Sequence, residues 1–156
     1  MKGRVTAVVG AQYGSEGKGA VVQHIAKEYP IHVRTGGPNA GHTIHYDNVE
    51  YAMQVIPCGW INPDAKLVIG PGALVDIEQL REEIRWIEPH FPDIKRRLYI
   101  DTRAGHLAPR FMEQEGGTNG ILHERIGSTG KGVGAAREAR MRRNDLEFEL
   151  MVEARS

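Results

Sequence analysis

The residues best suited to chemistry lie in a glycine-rich loop at positions 10–19, which ends in Gly-Ser-Glu-Gly-Lys-Gly. Glycines let consecutive backbone N–H groups approach an anion, the N-terminus of a following helix adds partial positive charge, and Lys18 supplies a mobile cation. The loop therefore predicts phosphate binding. It is not a standard Walker A loop, because that pattern would begin at Gln12, and Gly19 stands where Ser or Thr binds Mg²⁺. A tight turn from strand to helix would explain a single glycine, but not the whole run.

A second glycine-rich loop spans residues 34–43, Arg-Thr-Gly-Gly-Pro-Asn-Ala-Gly-His-Thr. Asn39 offers an amide, His42 an imidazole and Thr43 a hydroxyl, while the glycines leave carbonyl oxygens free to coordinate a cation. His42 and His45 could form a zinc pair, but no third ligand lies at a suitable spacing. His42 could also be a hydrogen-bonded structural histidine. Its glycine-rich surroundings favour a role in binding or catalysis.

The composition restricts the classes of protein to consider. The chain has 156 residues, with 20 basic and 20 acidic side chains and zero formal net charge. Affinity for nucleic acids or membrane surfaces rests on an excess of Lys and Arg, so a general binder of either kind is not expected. No apolar run approaches the roughly 20 residues that span a bilayer, and no signal-peptide core follows Met1. A single cysteine, Cys58, excludes an internal disulfide and a multi-cysteine zinc site, so we expect a cytoplasmic protein with one core.

The hydrophobic pattern predicts the elements that position the two loops. Residues 4–9 are an apolar, β-branched run, which predicts a buried strand. Residues 20–26 fit a helix that ends near Pro30, and Ile31–Arg34 fits a second strand. This order is a βαβ unit. Both loops should therefore follow parallel strands and face each other across the strand ends.

The middle of the sequence continues to alternate strands and helices. The further predictions are a hairpin of residues 43–46 and Val49–Met53, a strand at Lys66–Ile69, a helix at Ile77–Ile87 and a strand at residues 97–100. The helix has the clearest start signal, because Asp76 and Gln79 form a capping box. The pair Asp47-Asn48 tolerates the left-handed conformation that a tight hairpin turn needs. The pattern predicts an α/β fold with a largely parallel sheet, whose ligands bind beyond the carboxyl ends of the strands.

The C-terminal region is polar and rich in arginine, with Arg137, Arg140, Arg142 and Arg143. No strand or aromatic residue follows residues 146–150 to close a core, so either the chain stops early or this tail docks on a partner. The arginines could contact nucleic-acid phosphates, which would make the protein a binding module instead of an enzyme. Aromatic residues for stacking are absent nearby. For Arg137 and Arg140, a solvated face is the better interpretation.

Three motifs carry a family resemblance. Residues 12–19 and 36–43 look like the paired signatures of adenylosuccinate synthetase, which joins aspartate to C6 of IMP using GTP. Residues 126–134, followed by Arg142-Arg143, resemble the family's third motif. The resemblance implies a P-loop-related, mostly parallel sheet flanked by helices. The family's aspartate-binding loop and nucleotide-base pocket lie beyond the end of this chain, so residues 1–156 are interpreted as one α/β domain, the N-terminal portion of a longer ligase.

The resemblance also implies roles for individual residues. The residues implied to bind the triphosphate are Gly14, Ser15, Glu16, Gly17, Lys18, Gly19, Gly41, His42 and Thr43. Those implied to bind the purine monophosphate are Ser15, Asn39, Ala40, Gly41, His42, Thr129 and Arg143. Arg143 would reach the monophosphate of the neighbouring subunit in a homodimer. Ser15 and the Gly41 carbonyl would lie at the Mg²⁺ site, and Ser15 and His42 would be catalytic, with His42 stabilising or protonating the oxygen that is phosphorylated at C6.

Ser15 is the position at which this sequence departs most from the family. The family's first loop reads Gly-Asp-Glu-Gly-Lys-Gly, and its Asp takes the N1 proton of hypoxanthine and also contacts Mg²⁺. A Ser hydroxyl is a poor general base and a weak metal ligand, and its smaller size leaves room for the 2-amino group of guanine. The substitution resembles the phage-type branch, the succino-2-aminodeoxyadenylate synthases. The alternatives are an ordinary adenylosuccinate synthetase with altered base usage and an inactive or partial member of the family.

The resemblance to that branch implies the substrates and partners. L-Aspartate would condense with C6 of dGMP to give N6-succino-2-amino-2'-deoxyadenylate, with Mg²⁺ as cofactor and ATP, dATP or GTP as phosphoryl donor. In the implied mechanism the γ-phosphoryl group moves to O6 of the purine, and the aspartate amine then displaces phosphate. The expected assembly is a homodimer without nucleic-acid or membrane partners. If the protein is phage-encoded, it would act in the host cytoplasm.

Overall fold

Strands and helices alternate along the chain. The structure, a computed structural model, describes residues 3–12, 14, 16–116 and 128–142. Its strands are β1 (Ile31–Arg34), β2 (His42–Tyr46), β3 (Val49–Met53), β4 (Lys66–Ile69), β5 (Leu74–Val75), β6 (Leu98–Ile100) and β7 (Gly105–His106). Its helices are α1 (Lys18–Ile25), α2 (Ile77–Ile87), α3 (Ile94–Arg97), α4 (Pro109–Gln114) and α5 (Val133–Arg142), with short 3₁₀ helices at Ala26–Glu28 and Cys58–Ile61.

A parallel sheet lies at the centre of the fold. Its strand order is β1-β4-β6, with Ile31 opposite Lys66 and Leu67 opposite Leu98. β5 and β7 form a second, two-stranded parallel pair. Because the main strands run in one direction, the loops that follow them emerge at the same edge. The predicted α/β class with a parallel sheet flanked by helices is confirmed.

The β2–β3 hairpin forms where the sequence predicts it. Its two turn residues, Asp47 and Asn48, have φ angles of 50° and 59°. Positive φ at both central residues is the type I′ arrangement, whose twist matches that of the flanking strands. Its register places His42 opposite Met53. The turn thereby fixes the position of His42 at the open end of the hairpin.

Helix α2 begins at its predicted cap and buries a carboxylate. The Asp76 side chain accepts a hydrogen bond from the Gln79 N–H at 3.1 Å, which confirms the capping box. On the buried face, the fully buried Glu83 accepts backbone N–H groups from Gln54, Val55 and Ile56 at 2.5–3.1 Å. These hydrogen bonds hold residues 54–56, which follow β3, against α2. Within the described residues, no helix combines the length and apolar character needed to cross a bilayer.

The core has two parts. In the larger one, the buried Trp60 ring contacts Tyr46 and Tyr51 edge-on, with ring centroids 5.5 and 5.3 Å away. Other fully buried side chains of this part are Ile44, Met53, Ile56, Leu67, Ile69, Ile87 and Ile94. The smaller part joins α4 to α5 and includes Phe111 and Val133. It attaches the third glycine motif to the rest of the fold.

The strand predicted at residues 4–9 is absent from the structure, and that prediction is wrong. Residues 3–10 have no regular secondary structure, and Val5 and Val9 are 93% and 82% exposed. Arg4 instead forms an ion pair with Glu28 at 2.6 Å. A strand needs a partner for its N–H and C=O groups, and no described strand pairs with this segment or with the outer edge of β1. The first strand of the predicted βαβ unit is therefore missing.

The strand predicted at residues 97–100 begins later than expected. It starts at Leu98, because Arg97 ends α3 and turns inward. The Arg97 guanidinium donates hydrogen bonds to the carbonyl groups of Asn62 and Ala65 at 2.8 and 3.1 Å. These buried bonds hold Arg97 outside the strand ladder.

Candidate functional site

The first glycine loop is closed by an internal ion pair. The Glu16 carboxylate accepts the Gln12 N–H at 3.0 Å and pairs with the Lys18 ammonium group. The Lys18 ammonium group, donating to the Glu16 carboxylate, lowers the pKa of that carboxyl. Gly14 and Gly17 have φ angles of 109° and 70°, which L side chains rarely adopt. These two glycines are therefore required by the path of the loop, whereas Ser15 lies outside the described residues.

Gly19 joins the first loop to the second. A Cβ atom added at Gly19 would lie 2.8 Å from the carbonyl oxygen of Thr43 and 3.1 Å from Cβ of His42. Contacts this short force neighbouring atoms apart, so a side chain at this position would separate α1 from β2. Gly19 lies in the first turn of α1, and His42 and Thr43 begin β2. The missing side chain thus brings the two predicted motifs into direct contact.

A cavity of about 530 Å³ opens beside this contact. Its lining is mostly apolar and comes from residues 6–9, α1 and β1, and it also includes Lys18, Ala40 and His42 of the two loops. Arg34 also lines it, at the carboxyl end of β1, and donates a hydrogen bond from Nη2 to the carbonyl oxygen of Ala40 at 2.6 Å. Arg34 is not one of the predicted site residues. The signal that could have found it is its position, since it is the last residue of the strand that enters the second loop.

The cavity changes the acid–base behaviour of His42. Burial, followed by the positive charges of Arg34 and Lys18, lowers the pKa of His42 from 6.5 to about 4. The imidazole is therefore neutral at pH 7, with one N–H donor and one acceptor nitrogen. It is suited to donate a hydrogen bond to an oxygen on which negative charge develops.

The third glycine motif is held by a carboxylate that sequence reasoning missed. Glu115 accepts N–H groups from Gly132, Gly134 and Ala135 at 2.7–3.1 Å, at the start of α5. Negative charge is favourable at a helix N-terminus. Gly132 has φ 76°, and its Cβ would lie 2.6 Å from the backbone of Phe111. The link between Glu115 and the motif spans many residues without a local pattern, so the sequence offers no signal for it.

The third motif also lies against the second. A Cβ added at Gly37 would lie 2.9 Å from a methyl carbon of Val133. Nearby, Lys131 donates a hydrogen bond from Nζ to Oε1 of Gln54 at 2.9 Å. The exposed Thr129 belongs to the loop that leads into Lys131. These contacts place the start of α5 beside the loop that precedes β2.

The structure brings some of the predicted site residues together and leaves others apart or undescribed. Lys18, Gly19, Ala40, His42 and Thr43 are brought together around the cavity or the contact beside it. Also described, in or beside the same loops, are Gly14, Glu16, Gly17, Asn39 and Gly41. Thr129 is not among the residues that line the cavity. Ser15 and Arg143 lie outside the described residues.

A zinc pair of His42 and His45 is not supported. The two residues are three positions apart on β2, so their side chains lie on opposite faces of the strand. Among residues 3–12, 14, 16–116 and 128–142, no three His, Cys, Asp or Glu side chains cluster in a way that would hold a metal.

The arrangement of the three motifs agrees with a comparison with known proteins. Residues 7–156 match the model of the adenylosuccinate synthetase family. The chain belongs to this family. Adenylosuccinate synthetases of Chlorobaculum parvum and Methanococcus aeolicus are both 38% identical to it, over 144 and 152 residues. The matches cover 90% and 94% of this chain but 33% and 44% of those relatives. The chain thus spans about a third of the C. parvum protein.

Two solved structures share the fold. The fully ligated adenylosuccinate synthetase of Plasmodium falciparum matches with a TM-score of 0.76 and 32% identity, over 86% of this chain and 32% of that one. The succinoaminodeoxyadenylate synthetase of cyanophage S-2L, bound to dGMP and to dATP as energy donor, matches with a TM-score of 0.72 and 28% identity. That match covers 92% of this chain and 39% of the phage enzyme. The resemblance seen in the three motifs is confirmed, and the fold is that of the N-terminal part of this family.

Proposed function

We propose that this protein is the N-terminal α/β domain, residues 1–156, of a purine nucleotide ligase that condenses L-aspartate with C6 of dGMP. ATP would drive the reaction with Mg²⁺, and the product would be N6-succino-2-amino-2'-deoxyadenylate. The observation that carries the proposal is the contact of Gly19 with His42 and Thr43. It joins a phosphate-binding loop to a loop that offers a neutral imidazole. Phosphoryl transfer depends mainly on positioning and charge stabilisation, which these two loops would supply together.

The first loop and α1 are proposed to hold the triphosphate. Gly14 and Gly17 adopt backbone conformations that leave the loop free of side chains, and Lys18 lines the cavity. The Lys18 ammonium group now pairs with Glu16, so binding would exchange that carboxylate for phosphate oxygens. Such an exchange retains a charge-assisted contact for Lys18 throughout.

His42 is proposed to act on the purine O6. Negative charge develops on this oxygen as the purine N1 proton leaves, to water or to a phosphate oxygen, and a preorganised N–H donor stabilises it until O6 attacks the γ-phosphoryl group. Because the pKa of His42 is lowered to about 4, the imidazole is neutral at pH 7 and provides this donor through its single ring N–H. The aspartate amine would then displace phosphate from C6.

The donors near the second loop fit a magnesium ion. Mg²⁺ prefers oxygen ligands and commonly shares them with substrate phosphates. Nothing lies within 4 Å of the Cβ position of Gly41, so the backbone there is open to a ligand. We infer that the Gly41 carbonyl, together with phosphate oxygens and the Ser15 hydroxyl, would hold the ion. When bound, it would neutralise charge on the transferring phosphoryl group.

The preference for dGMP rests on Ser15. A carboxylate at this position would accept the N1 proton of hypoxanthine but would crowd a 2-amino group, whereas a hydroxyl relieves the crowding and forfeits the base. The likeness to a phage enzyme solved with dGMP and dATP supports this substrate class. ATP, dATP and GTP all remain compatible donors, because the base-reading residues of relatives lie outside the matched region.

A second candidate is the ordinary adenylosuccinate synthetase reaction of IMP, aspartate and GTP. The curated relatives favour it, since proteins with that name are up to 40% identical to this chain, against 28% for the phage enzyme. Under either reaction, we infer that Thr129 contacts the monophosphate and that Arg143 of a second subunit completes the site. The active form would then be a homodimer.

Turnover by the complete ligase, in which this chain supplies the N-terminal third, separates the two candidates. The assay contains aspartate, ATP or GTP and Mg²⁺, and compares dGMP, GMP and IMP. The Ser15 protein should prefer dGMP, because the hydroxyl leaves room for the 2-amino group. Guanine and hypoxanthine both carry an N1 proton, so loss of the general base should slow both substrates, by about 10²–10⁴-fold. Ser15→Asp should shift the substrate preference toward IMP. Ser15→Ala, which adds no carboxylate, should retain the preference for dGMP. Equal or better use of IMP by the Ser15 protein would favour the ordinary synthetase.

A further inference from the structure

Arg34 is a charged residue of the cavity wall for which the described part of the structure shows no ion-pair partner. It ends β1 and is partly buried at the cavity wall. In the described ranges 3–12, 14, 16–116 and 128–142, Arg34 takes part in no ion pair. Burying a cation without a counter-charge is costly. A partner from outside the protein would remove that cost.

The groups around Arg34 are already committed or neutral. The Glu83 carboxylate accepts three backbone N–H groups from residues 54–56. Burial raises the pKa of Cys58 to about 11, so its thiol is uncharged at pH 7. Glu16 is paired with Lys18. The charge of Glu83 favours the charged guanidinium, but none of the ion pairs in the described residues joins an acid directly to Arg34.

Most of the hydrogen-bonding capacity of Arg34 is also unused. A guanidinium has five N–H donors, and within the described structure Arg34 uses one of them, for the Ala40 carbonyl. Arg97 is a useful contrast, because it donates to carbonyl groups and also pairs with Asp93. Arg97 is therefore a structural arginine that has a carboxylate partner. Arg34, in contrast, lines a cavity and has guanidinium N–H donors that are not used in the described structure.

We propose that Arg34 binds a phosphoryl group of the nucleoside triphosphate, on the side of the cavity that His42 lines. This inference rests on the proposed use of a triphosphate. The same cavity is lined by Lys18 and by His42. The positive charges of Arg34 and Lys18 both act on His42, so an anion beside His42 would meet two cations. A planar guanidinium can contact two phosphate oxygens at once, while its bond to Ala40 fixes its orientation.

The test is isothermal titration of the 156-residue chain with tripolyphosphate in the presence of Mg²⁺. Arg34→Gln should weaken binding at least tenfold, because it keeps an N–H donor for Ala40 but removes the charge. Arg34→Lys, which keeps both, should weaken it less than Arg34→Gln. The control Arg81→Gln, at an exposed position of α2, should bind as the unaltered chain does. Equal affinities for the Gln and Lys variants would show that Arg34 only orients the loop, and would overturn the proposal.

A second measurement does not depend on the variants folding. In the unaltered chain, the Nε–H resonance of Arg34 should shift on addition of tripolyphosphate but not on addition of chloride at equal ionic strength. No shift would overturn the proposal. A shift with L-aspartate alone, and none with tripolyphosphate, would assign Arg34 to a carboxylate and also overturn it.

The outcomes separate this inference from the proposed function. If Lys18→Ala abolishes tripolyphosphate binding and Arg34→Gln does not, the triphosphate site stands and the inference about Arg34 fails. If binding depends on Arg34 but the complete ligase turns over neither dGMP nor IMP, the inference stands and the proposed function fails. If the unaltered chain binds no tripolyphosphate, both fail.

Discussion

Gly19→Ala tests the contact on which the site depends. The added Cβ would lie 2.8 Å from the Thr43 carbonyl oxygen, a backbone atom that cannot rotate away. Ordinary contact begins near 3.4 Å, so α1 and β2 must separate by several tenths of an ångström. Overpacking of this kind costs about 1–3 kcal/mol. Gly19 lies in the first turn of α1, where alanine returns at most about 1 kcal/mol, so the net loss in the free energy of unfolding should be about 0–3 kcal/mol.

The effect on binding should exceed the effect on stability. Separating α1 from β2 moves Lys18 relative to His42, and a misplacement of about 1 Å can cost 10²-fold in rate. We therefore expect Gly19→Ala to weaken binding of triphosphate with Mg²⁺ at least tenfold while the protein remains folded. Urea unfolding and calorimetric titration of the same preparations measure both quantities.

Gly134→Ala is the matched control. Gly134 is also helical, but its added Cβ would meet only the carboxylate end of Glu115, a side chain that can move. It should leave triphosphate affinity nearly unchanged. If Gly19→Ala binds triphosphate as tightly as the unaltered chain and unfolds at higher urea, the close contact of the two loops is not what forms the site.

Three further substitutions extend the reasoning. Lys18→Ala should weaken triphosphate binding at least tenfold, since a charged contact contributes about 1.5–3 kcal/mol, and unchanged affinity would remove Lys18 from the site. In the complete ligase, Arg143→Leu should weaken dGMP binding and spare triphosphate binding, and mixing these subunits with Thr129→Ala subunits should restore some activity; full activity of a monomer would contradict a shared site. Glu83→Gln places an amide against three N–H donors and should lower the free energy of unfolding by about 1–3 kcal/mol, measured in urea. Burial raises the pKa of Glu83, so its folded form holds its proton at higher pH than the unfolded form does. Stability should therefore fall as pH rises from 4.5 through that raised pKa, and Glu83→Gln should remove this part of the slope.

Local signals in the sequence predicted the elements that local interactions determine. The capping box at Asp76 and the turn at Asp47-Asn48 each involve groups only a few residues apart, and both formed as expected. The glycine motifs were equally readable, because a loop that needs positive φ selects glycine at Gly14 and Gly17. The chemistry of the loops could therefore be read from residue types alone.

Features that depend on distant partners could not be predicted in the same way. The apolar pattern of residues 4–9 is that of a strand, but pairing depends on a neighbour that no local pattern reveals. Glu115 and Arg34 likewise act on groups supplied by other segments, the start of α5 and the cavity wall. The lowered pKa of His42 arises from burial and from charges brought close by folding.

The outer edge of β1 has a consequence for handling the isolated chain. No described strand pairs with that edge, and Ile31 and Val33 are 53% and 60% exposed. Natural proteins protect such edges with charges, prolines or bulges, because an open apolar strand is a template for pairing with another chain. At high concentration, this chain should aggregate through β1 by intermolecular strand pairing. A lysine in place of Val33, whose side chain is exposed, would suppress that association with little effect on the core.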